Sequence, residues 1–210
     1  GRLFAFELYS SKYSDDNGNT WNILEDSGRN PLSALSSTPD GIIFGVRSYG
    51  SLQRSVDNGL SWQFSANGIL RSTVTNLQHI DGTHLLALTG DGLFYSKDSG
   101  SSWDLIWEKV TEDVSIWSGF LLQVAPDGSW YLWDGFNLLK FTDEGQSHTT
   151  LQVPGVNNSN FNGFKVSPIT GTVFLSSWSE FLTSSDGGQS WSQTSNTFFN
   201  YEDLVIMPDG

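Results

Sequence analysis

One eight-residue pattern returns along the chain and leaves little choice of fold: Ser-x-Asp-x-Gly-x-Ser/Thr-Trp. It is complete at Ser14, Asp16, Gly18, Thr20 and Trp21, at Ser55, Asp57, Gly59, Ser61 and Trp62, at Ser96, Asp98, Gly100, Ser102 and Trp103, and at Ser184, Asp186, Gly188, Ser190 and Trp191. A degraded copy keeps Asp143, Gly145 and Ser147 but has Phe141 and His148 at its ends. Successive Asp positions lie 41, 41, 45 and 43 residues apart. A fixed period of this size marks a repeat architecture, in which each unit buries its apolar faces only against its neighbours. A second marker runs in phase: Pro39-Asp40-Gly41, Ile80-Asp81-Gly82, Pro126-Asp127-Gly128, the looser Pro168-Ile169-Thr170-Gly171, and Pro208-Asp209-Gly210 at the end.

The phase divides the chain into repeats of approximately 1–40, 41–81, 82–127, 128–170 and 171–210, which fill a single domain. Each repeat reads as four short strands, A to D. In the blade of the third motif, A is about Val74–Ile80, at the end of the preceding repeat, B about His84–Thr89, C about Leu93–Ser96 and D about Trp103–Trp107. Gly90-Asp91-Gly92 is a hairpin signal between B and C, and the Asp motif is the hairpin between C and D. Strand B is apolar almost without interruption, as in Leu85-Leu86-Ala87-Leu88 and Val173-Phe174-Leu175. Such strands are buried on both faces, which is the environment of a sheet stacked between two others. Four strands in this length is the size of a β-propeller blade. The expected fold is therefore all-β, a propeller of five four-stranded blades. The chain opens at Gly1-Arg2-Leu3-Phe4-Ala5-Phe6, in the phase of strand B, and ends just after strand A. A C-terminal strand near Leu204–Met207 is thus expected to join the first blade and close the ring.

The motif resembles the Asp-box, or bacterial neuraminidase repeat, of sialidases, xyloglucan-cleaving glycosidases, sortilin-type receptors and photosystem assembly factors of the Ycf48 kind. All of these are propellers. The resemblance covers the chain as a repeat and implies a structural role for Asp16, Asp57, Asp98, Asp143 and Asp186, and outer packing for Trp21, Trp62, Trp103 and Trp191. The residues themselves agree with that role: Gly takes positive φ without steric cost, and an Asp carboxylate accepts backbone N–H groups across a tight turn. Trp62 and Trp103 are expected to carry stability, His148 much less. The sialidase branch of the resemblance implies an arginine triad drawn from separate blades and an Arg-Ile-Pro segment. This chain has no Arg-Ile-Pro, and its arginines (Arg2, Arg29, Arg47, Arg54, Arg71) all lie in the first 71 residues.

Composition narrows the partners. Ten Lys and Arg oppose 23 Asp and Glu, for a net charge of −13. Such a chain repels phosphate backbones and anionic lipid, so nucleic acid is excluded as a partner, and no apolar run is long enough for direct membrane insertion. The absence of Cys removes thiolate metal sites and thiol nucleophiles. The three histidines (His79, His84, His148) have no metal-ligand spacing, and neither a Gly-x-Ser-x-Gly elbow nor a nucleotide-binding glycine pattern occurs. No cofactor and no metal are expected. Lacking an initial Met, the chain reads as a processed piece or one excised from a larger protein.

A glycosidase needs two carboxylates facing each other. Candidates belong to the B–C turns (Asp91, Asp134, Glu180) or the D–A connections (Glu25, Asp26, Glu112, Asp113, Glu202, Asp203), and the sequence singles out no pair. Aromatic residues at turn tips are more informative. Tyr49 and Trp178 sit in B–C turns, with Phe136 at the corresponding place in the fourth repeat. Aromatic tips on one face make a platform for a partner protein or a sugar ring. The expected site therefore comprises Tyr49, Asp91, Asp134, Trp178 and Glu180, on the face opposite the Asp motifs. The sequence reads as a non-enzymatic, secreted or surface-exposed binding module. A glycoside hydrolase, or a fragment of one, is the alternative, and an assembly factor of the Ycf48 kind a further one.

Overall fold

The computed structural model describes residues 2–6, 11–24, 32–47, 51–69, 73–108, 121–157, 160–178, 180–195 and 206. Among the described residues nineteen short strands form five antiparallel sheets. The first sheet holds β1 (Leu3–Phe6), β2 (Ser11–Ser14) and β3 (Asn22–Ile23). The second holds β4 (Leu32–Ser37), β5 (Ile43–Arg47), β6 (Leu52–Ser55) and β7 (Gln63–Phe64). The third holds β8 (Val74–Asp81), β9 (His84–Thr89), β10 (Gly92–Ser96) and β11 (Asp104–Glu108). The fourth is β12 (Leu121–Val124), β13 (Trp130–Trp133), β14 (Leu138–Thr142) and β15 (Ser147–Leu151). The fifth is β16 (Phe161–Val166), β17 (Val173–Ser177), β18 (Phe181–Ser184) and β19 (Ser192–Ser195). In every four-stranded sheet, order in the sheet is order in the chain, so each strand pairs with its sequence neighbour through a hairpin. The first sheet has three strands among the described residues, not four. The expected closing strand, Leu204–Met207, lies almost wholly outside the described residues, of which Ile206 is one.

The chain divides into two compact units, Gly1–Glu108 and Lys109–Gly210. In the first, Phe44, Val46 and Leu52 of the second sheet pack with Leu85, Ala87 and Phe94 of the third. In the second, Tyr131, Trp133 and Leu138 of the fourth sheet pack with Phe164, Val173 and Leu175 of the fifth. The B strands of the four-stranded sheets are buried almost end to end, β9 and β13 most completely, as their unbroken apolar sequences require, whereas Leu3 of β1 is 44% exposed.

Each complete motif is the hairpin between the third and fourth strands of its repeat, and its hydrogen bonds repeat almost atom for atom. Ser55 Oγ donates to Asp57 Oδ1 at 2.7 Å and accepts the Gly59 N–H at 2.7 Å. Asp57 also takes the Ser61 N–H at 2.9 Å on Oδ1 and the Ser61 hydroxyl at 2.6 Å on Oδ2. The same knot joins Ser14, Asp16, Gly18 and Thr20, then Ser96, Asp98, Gly100 and Ser102, then Ser184, Asp186, Gly188 and Ser190. The residue before the motif Gly takes positive φ in every copy: Asn17, Asn58, Ser99, Glu144 and Gly187.

The degraded copy holds its turn differently. Asp143 itself has positive φ within a short 3-10 turn, Asp143–Gly145, and its carboxylate makes no hydrogen bond among the described residues. Phe141, at the Ser position, is fully buried, with ring centroids 6.5 Å from Trp130 and 5.2 Å from His148. Aromatic packing thus replaces the serine–aspartate knot, and Asp143 is a backbone turn former only.

Burial of the motif tryptophans departs from expectation. Trp103 is 4% exposed, while Trp21 is 43% exposed and Trp62 and Trp191 are half-buried. Trp103 Nε1 donates across to Ser65 O at 2.7 Å, in the neighbouring sheet's connection. Trp21 and Trp62 donate instead to Gly18 O and Gly59 O of their own hairpins.

Candidate functional site

Every four-stranded sheet has two ends. One carries the motif hairpin and the A–B turn, the other the B–C turn and the connection to the next sheet. At the hairpin end the motif carboxylates are consumed by the fold, although Val56 and Leu60 of the second hairpin are 63% and 66% exposed. The Thr20 hydroxyl, then its N–H, then the Ser14 hydroxyl hold Asp16 down at about 2, against an ordinary value of 3.8. Ser61 and Ser55 do the same to Asp57, also to about 2, and Ser190 and Ser184 lower Asp186. At Asp98 burial pushes the other way, but the Ser102 and Ser96 bonds prevail and the net displacement is downward. Asp127, in an A–B turn, is lowered similarly by Ser129 against the effect of burial.

The cations of this end are structural too. Arg2 binds both Asp15 oxygens, at 2.8 and 2.9 Å, and donates to Asn58 O at 2.6 Å. Arg54 donates to Ser99 O at 2.8 Å and Ser101 Oγ at 2.7 Å. Both arginines therefore reach the neighbouring sheet's motif hairpin at its left-handed residue. Lys140 approaches the same kind of position: a Cβ on Gly187 would lie 2.5 Å from its Nζ. Sequence reasoning missed this stitching, although one signal was present. Arg54 and Lys140 each immediately precede the first motif position, Ser55 and Phe141.

The expected site residues are distributed as follows. Tyr49 lies outside the described residues. Asp91 is exposed in the B–C turn of the third sheet, in the first unit. There Thr89 Oγ1 accepts the N–H groups of Asp91 and Gly92, at 3.1 and 3.2 Å. Gly92 is required: its φ is +152°, and a Cβ would fall 2.1 Å from Trp107 O. Asp134, Trp178 and Glu180 belong to the second unit, and there the structure does bring residues together.

That assembly begins with Trp133, the last residue of β13, and Phe161, the first of β16. Their rings stack with centroids 3.9 Å apart and planes within 8°. Trp133 is followed by the turn Asp134–Asn137, where Asp134 Oδ1 accepts the N–H groups of Phe136 at 2.8 Å and Asn137 at 2.7 Å. Phe161 is preceded by Asn160, whose carbonyl accepts the Trp178 N–H at 2.9 Å. Asn160 also ties the 153–157 stretch: its Nδ2 donates to Gly155 O at 2.7 Å, and its Oδ1 accepts the Asn157 N–H at 2.7 Å. Glu180 lies over that stretch, since a Cβ on Gly155 would meet its Oε2 at 2.8 Å. On this braced base Trp178 is 63% exposed and Phe136 44%. Phe136 was recognisable in the sequence by its place in the repeat. Asn160 was not, because its role is to brace a turn that is distant in sequence.

Inner strands add a regular feature. The register of β4, β8 and β16 slips near the start of each strand, leaving Ser33, Thr75 and Asn162 as the extra residue. Such bulges bend a strand and are frequent beside binding sites. In these three sheets they fall at the B–C end, while β12 of the fourth pairs with β13 without a slip. Among the described residues no group of three or more His, Cys, Asp or Glu could hold a metal ion, and no helix is long and apolar enough to cross a membrane.

No family model matches the chain, and no curated protein matches it. Solved structures do. Ycf48 bound to D1 peptide is similar with a TM-score of 0.62 at 16% identity, over 89% of this chain and 62% of that one. The GH74 xyloglucanase from Xanthomonas campestris is similar with a TM-score of 0.62 at 19% identity, over 91% of this chain and 36% of that one. A nidogen/laminin complex is similar with a TM-score of 0.58 at 11% identity, over 94% of this chain and 79% of the matched chain. The first two are β-propeller proteins, of which the present chain spans 62% and 36%. At these identities the likeness speaks for the fold: an all-β chain of the β-propeller kind.

Proposed function

We propose that the chain is a non-enzymatic Asp-box propeller module that binds a partner protein through the B–C end of its sheets. The observation that carries this reading is Trp178, 63% exposed on a turn braced by Asn160. A large apolar side chain exposed to water is characteristic of an interface anchor. Support comes from the hairpin end, where the carboxylates and arginines described above are spent on the fold. Further support comes from similar proteins whose structures are of a D1 peptide complex and a laminin complex. The test is a peptide array and a glycan array, each probed with the parent chain and with Trp178→Ala. Peptide binding that is lost in the variant, with the melting temperature unchanged, is the expected result. Binding that survives Trp178→Ala but is lost on changing Asn58 or Ser99 would place the site at the wrong end.

Glycan binding by the same aromatic tips remains within the reading, and the glycan array decides it. A glycoside hydrolase is the second reading, supported by the likeness to the GH74 xyloglucanase. It needs two carboxylates roughly 5–9.5 Å apart at the B–C end. Among the described residues the carboxylates with displaced acidity, Asp15, Asp16, Asp57, Asp98, Asp127 and Asp186, all lie at hairpin ends or A–B turns and are all displaced downward. Release of reducing ends from xyloglucan, abolished by Asp134→Asn or Glu180→Gln, would establish the enzyme. An assembly factor of the Ycf48 kind would depend on an arginine patch, and Arg2 and Arg54 are engaged in stitching sheets. The proposal includes a secreted or cell-surface location, tested by fractionating cells that express the parent protein. It also includes one five-bladed domain closed by residues 204–207, on the strength of the repeat phase. Removing residues 201–210 then lowers the melting temperature sharply, and an unchanged melting temperature rejects closure.

A further inference from the structure

We infer that the B–C end of the second unit recognises a basic segment, a peptide presenting Arg or Lys side chains, a conclusion that rests on the binding reading above. Each of its two B–C turns sets an aromatic ring two residues from a carboxylate: Asp134 with Phe136, and Trp178 with Glu180. In the first unit the pairing recurs in sequence at Glu7-Leu8-Tyr9, between β1 and β2, and is missing from the other two B–C turns. Gly90-Asp91 has no aromatic residue, and Ser48-Tyr49-Gly50 has no carboxylate.

The two pairs are joined by a short physical path. Asp134 follows Trp133, Trp133 stacks on Phe161, and the neighbouring Asn160 carbonyl holds the Trp178 N–H. The two turns are thus linked through the Trp133–Phe161 stack and the Asn160 carbonyl. Asp134 Oδ1 is occupied by two backbone N–H groups, while Oδ2 has only a long 3.4 Å contact to Asn137 Nδ2. One carboxylate oxygen thus remains for a ligand.

An exposed ring beside a carboxylate fits a cation. The ring face attracts an ammonium or guanidinium group, and the carboxylate supplies a charge-assisted hydrogen bond. A neutral sugar would gain from the ring but little from the charge. The unit as a whole points the same way: Lys109–Gly210 contains three Lys and no Arg against eleven Asp and Glu. Its field draws cationic partners and repels anionic ones.

The experiment uses the intact chain and a ten-residue Gly/Ser peptide carrying three arginines, together with the same peptide in which citrulline replaces arginine. Citrulline keeps the shape and loses the charge. The arginine peptide is expected to bind at least tenfold more tightly than the citrulline peptide. Trp178→Ala, which changes no charge, weakens binding by roughly three- to thirty-fold if a cation–π contact is lost. Glu180→Gln weakens it as well, whereas Asp104→Asn, the same charge change on β11 of the first unit, leaves it unaltered. Failure of the arginine peptide to bind, equal binding of both peptides, or equal effects of Glu180→Gln and Asp104→Asn overturns the inference. A random decapeptide array separates this from the reading it rests on. Hits that require Trp178 but carry no Lys or Arg overturn the cationic preference and leave protein binding standing. An array with no Trp178-dependent hit overturns both.

Discussion

Trp21 and Trp103 hold the same position of the same motif, yet one is 43% exposed and the other 4%. The difference comes from what covers them. Over Trp103 runs the turn Ala66–Ile69, whose Asn67 carbonyl accepts the Trp103 N–H at 2.8 Å, and Ser65 O takes the indole N–H at 2.7 Å. Gly68 fits there because a Cβ would lie 2.0 Å from Trp103 O. Among the described residues Trp21 bonds only within its own hairpin. Trp103→Ala is therefore expected to cost about 3–5 kcal/mol, the range for deleting a buried Trp, while Trp21→Ala costs about 1 kcal/mol or less. His148→Ala, at an exposed site, belongs with Trp21. Urea denaturation of the three variants checks the order, and equal losses at Trp103 and Trp21 would contradict the covering argument. The motif's chemistry was legible in the sequence because it is local: four residues bond to one another within one turn. The burial of its Trp was not, since it depends on a connection some forty residues earlier in the chain.

At the scale of strands and hairpins the sequence spoke clearly about phase. The expected blade of the third motif, with strands near 74–80, 84–89, 93–96 and 103–107, is found at 74–81, 84–89, 92–96 and 104–108. Alternation of apolar runs with Gly-rich turns suffices for that, because each strand pairs with its sequence neighbour. What joins one sheet to the next was not legible, for it rests on long side chains and close approaches. Arg54 is one such join. Arg54→Met keeps most of the stem but removes two bonds to the next hairpin and leaves Ser99 O without its donor, an expected loss of roughly 1–3 kcal/mol. Gly100 is another. Its φ of +75° already disfavours a side chain, and a Cβ would sit 2.6 Å from the Phe44 ring of the neighbouring sheet. Gly41 shares the backbone constraint, with φ +90°, but has nothing within 4 Å of the added Cβ. Gly100→Ala should therefore exceed Gly41→Ala by about 1–3 kcal/mol, the usual cost of overpacking. Thermal unfolding of the pair measures the sheet-to-sheet contact with the strain of the turn subtracted. Equal losses would mean that Phe44 moves aside freely. At the B–C end, Asp134 and Trp178 could be nominated from their turns, but the Trp133–Phe161 stack and the Asn160 brace needed coordinates, because both join residues distant in sequence.

For the whole molecule, stability as a function of pH is set by two effects of opposite sign. At pH 7 the net charge is −13, and the sequence pI is 4.3. Self-repulsion destabilises the compact state and weakens as acid brings the charge toward zero. The motif carboxylates act in the other direction. Asp16 and Asp57 are held at about 2 in the folded chain against 3.8 for a free side chain, and Asp98 and Asp186 are lowered as well. A group whose acidity is depressed by folding binds fewer protons folded than unfolded. Its contribution is complete above the unfolded value and is lost as pH falls through the folded one. For Asp16 and Asp57 the window runs from about pH 4 down to about pH 2, and Asp98 and Asp186 act in the same direction. The melting temperature is expected to hold or rise slightly from pH 7 to about pH 5, then to fall steeply below pH 4. Added salt should raise it at pH 7, where repulsion is screened, and have little such effect near the pI. Asp57→Asn supplies the internal control. The amide keeps an acceptor for the Ser61 N–H but carries no titrating charge, so the variant is less stable at pH 6 and loses less on going from pH 4 to pH 2. Differential scanning calorimetry at closely spaced pH values reads both features. A parent profile without the acid fall, or an Asp57→Asn profile parallel to the parent's, would show that the repeated hairpin carboxylates do not govern acid stability.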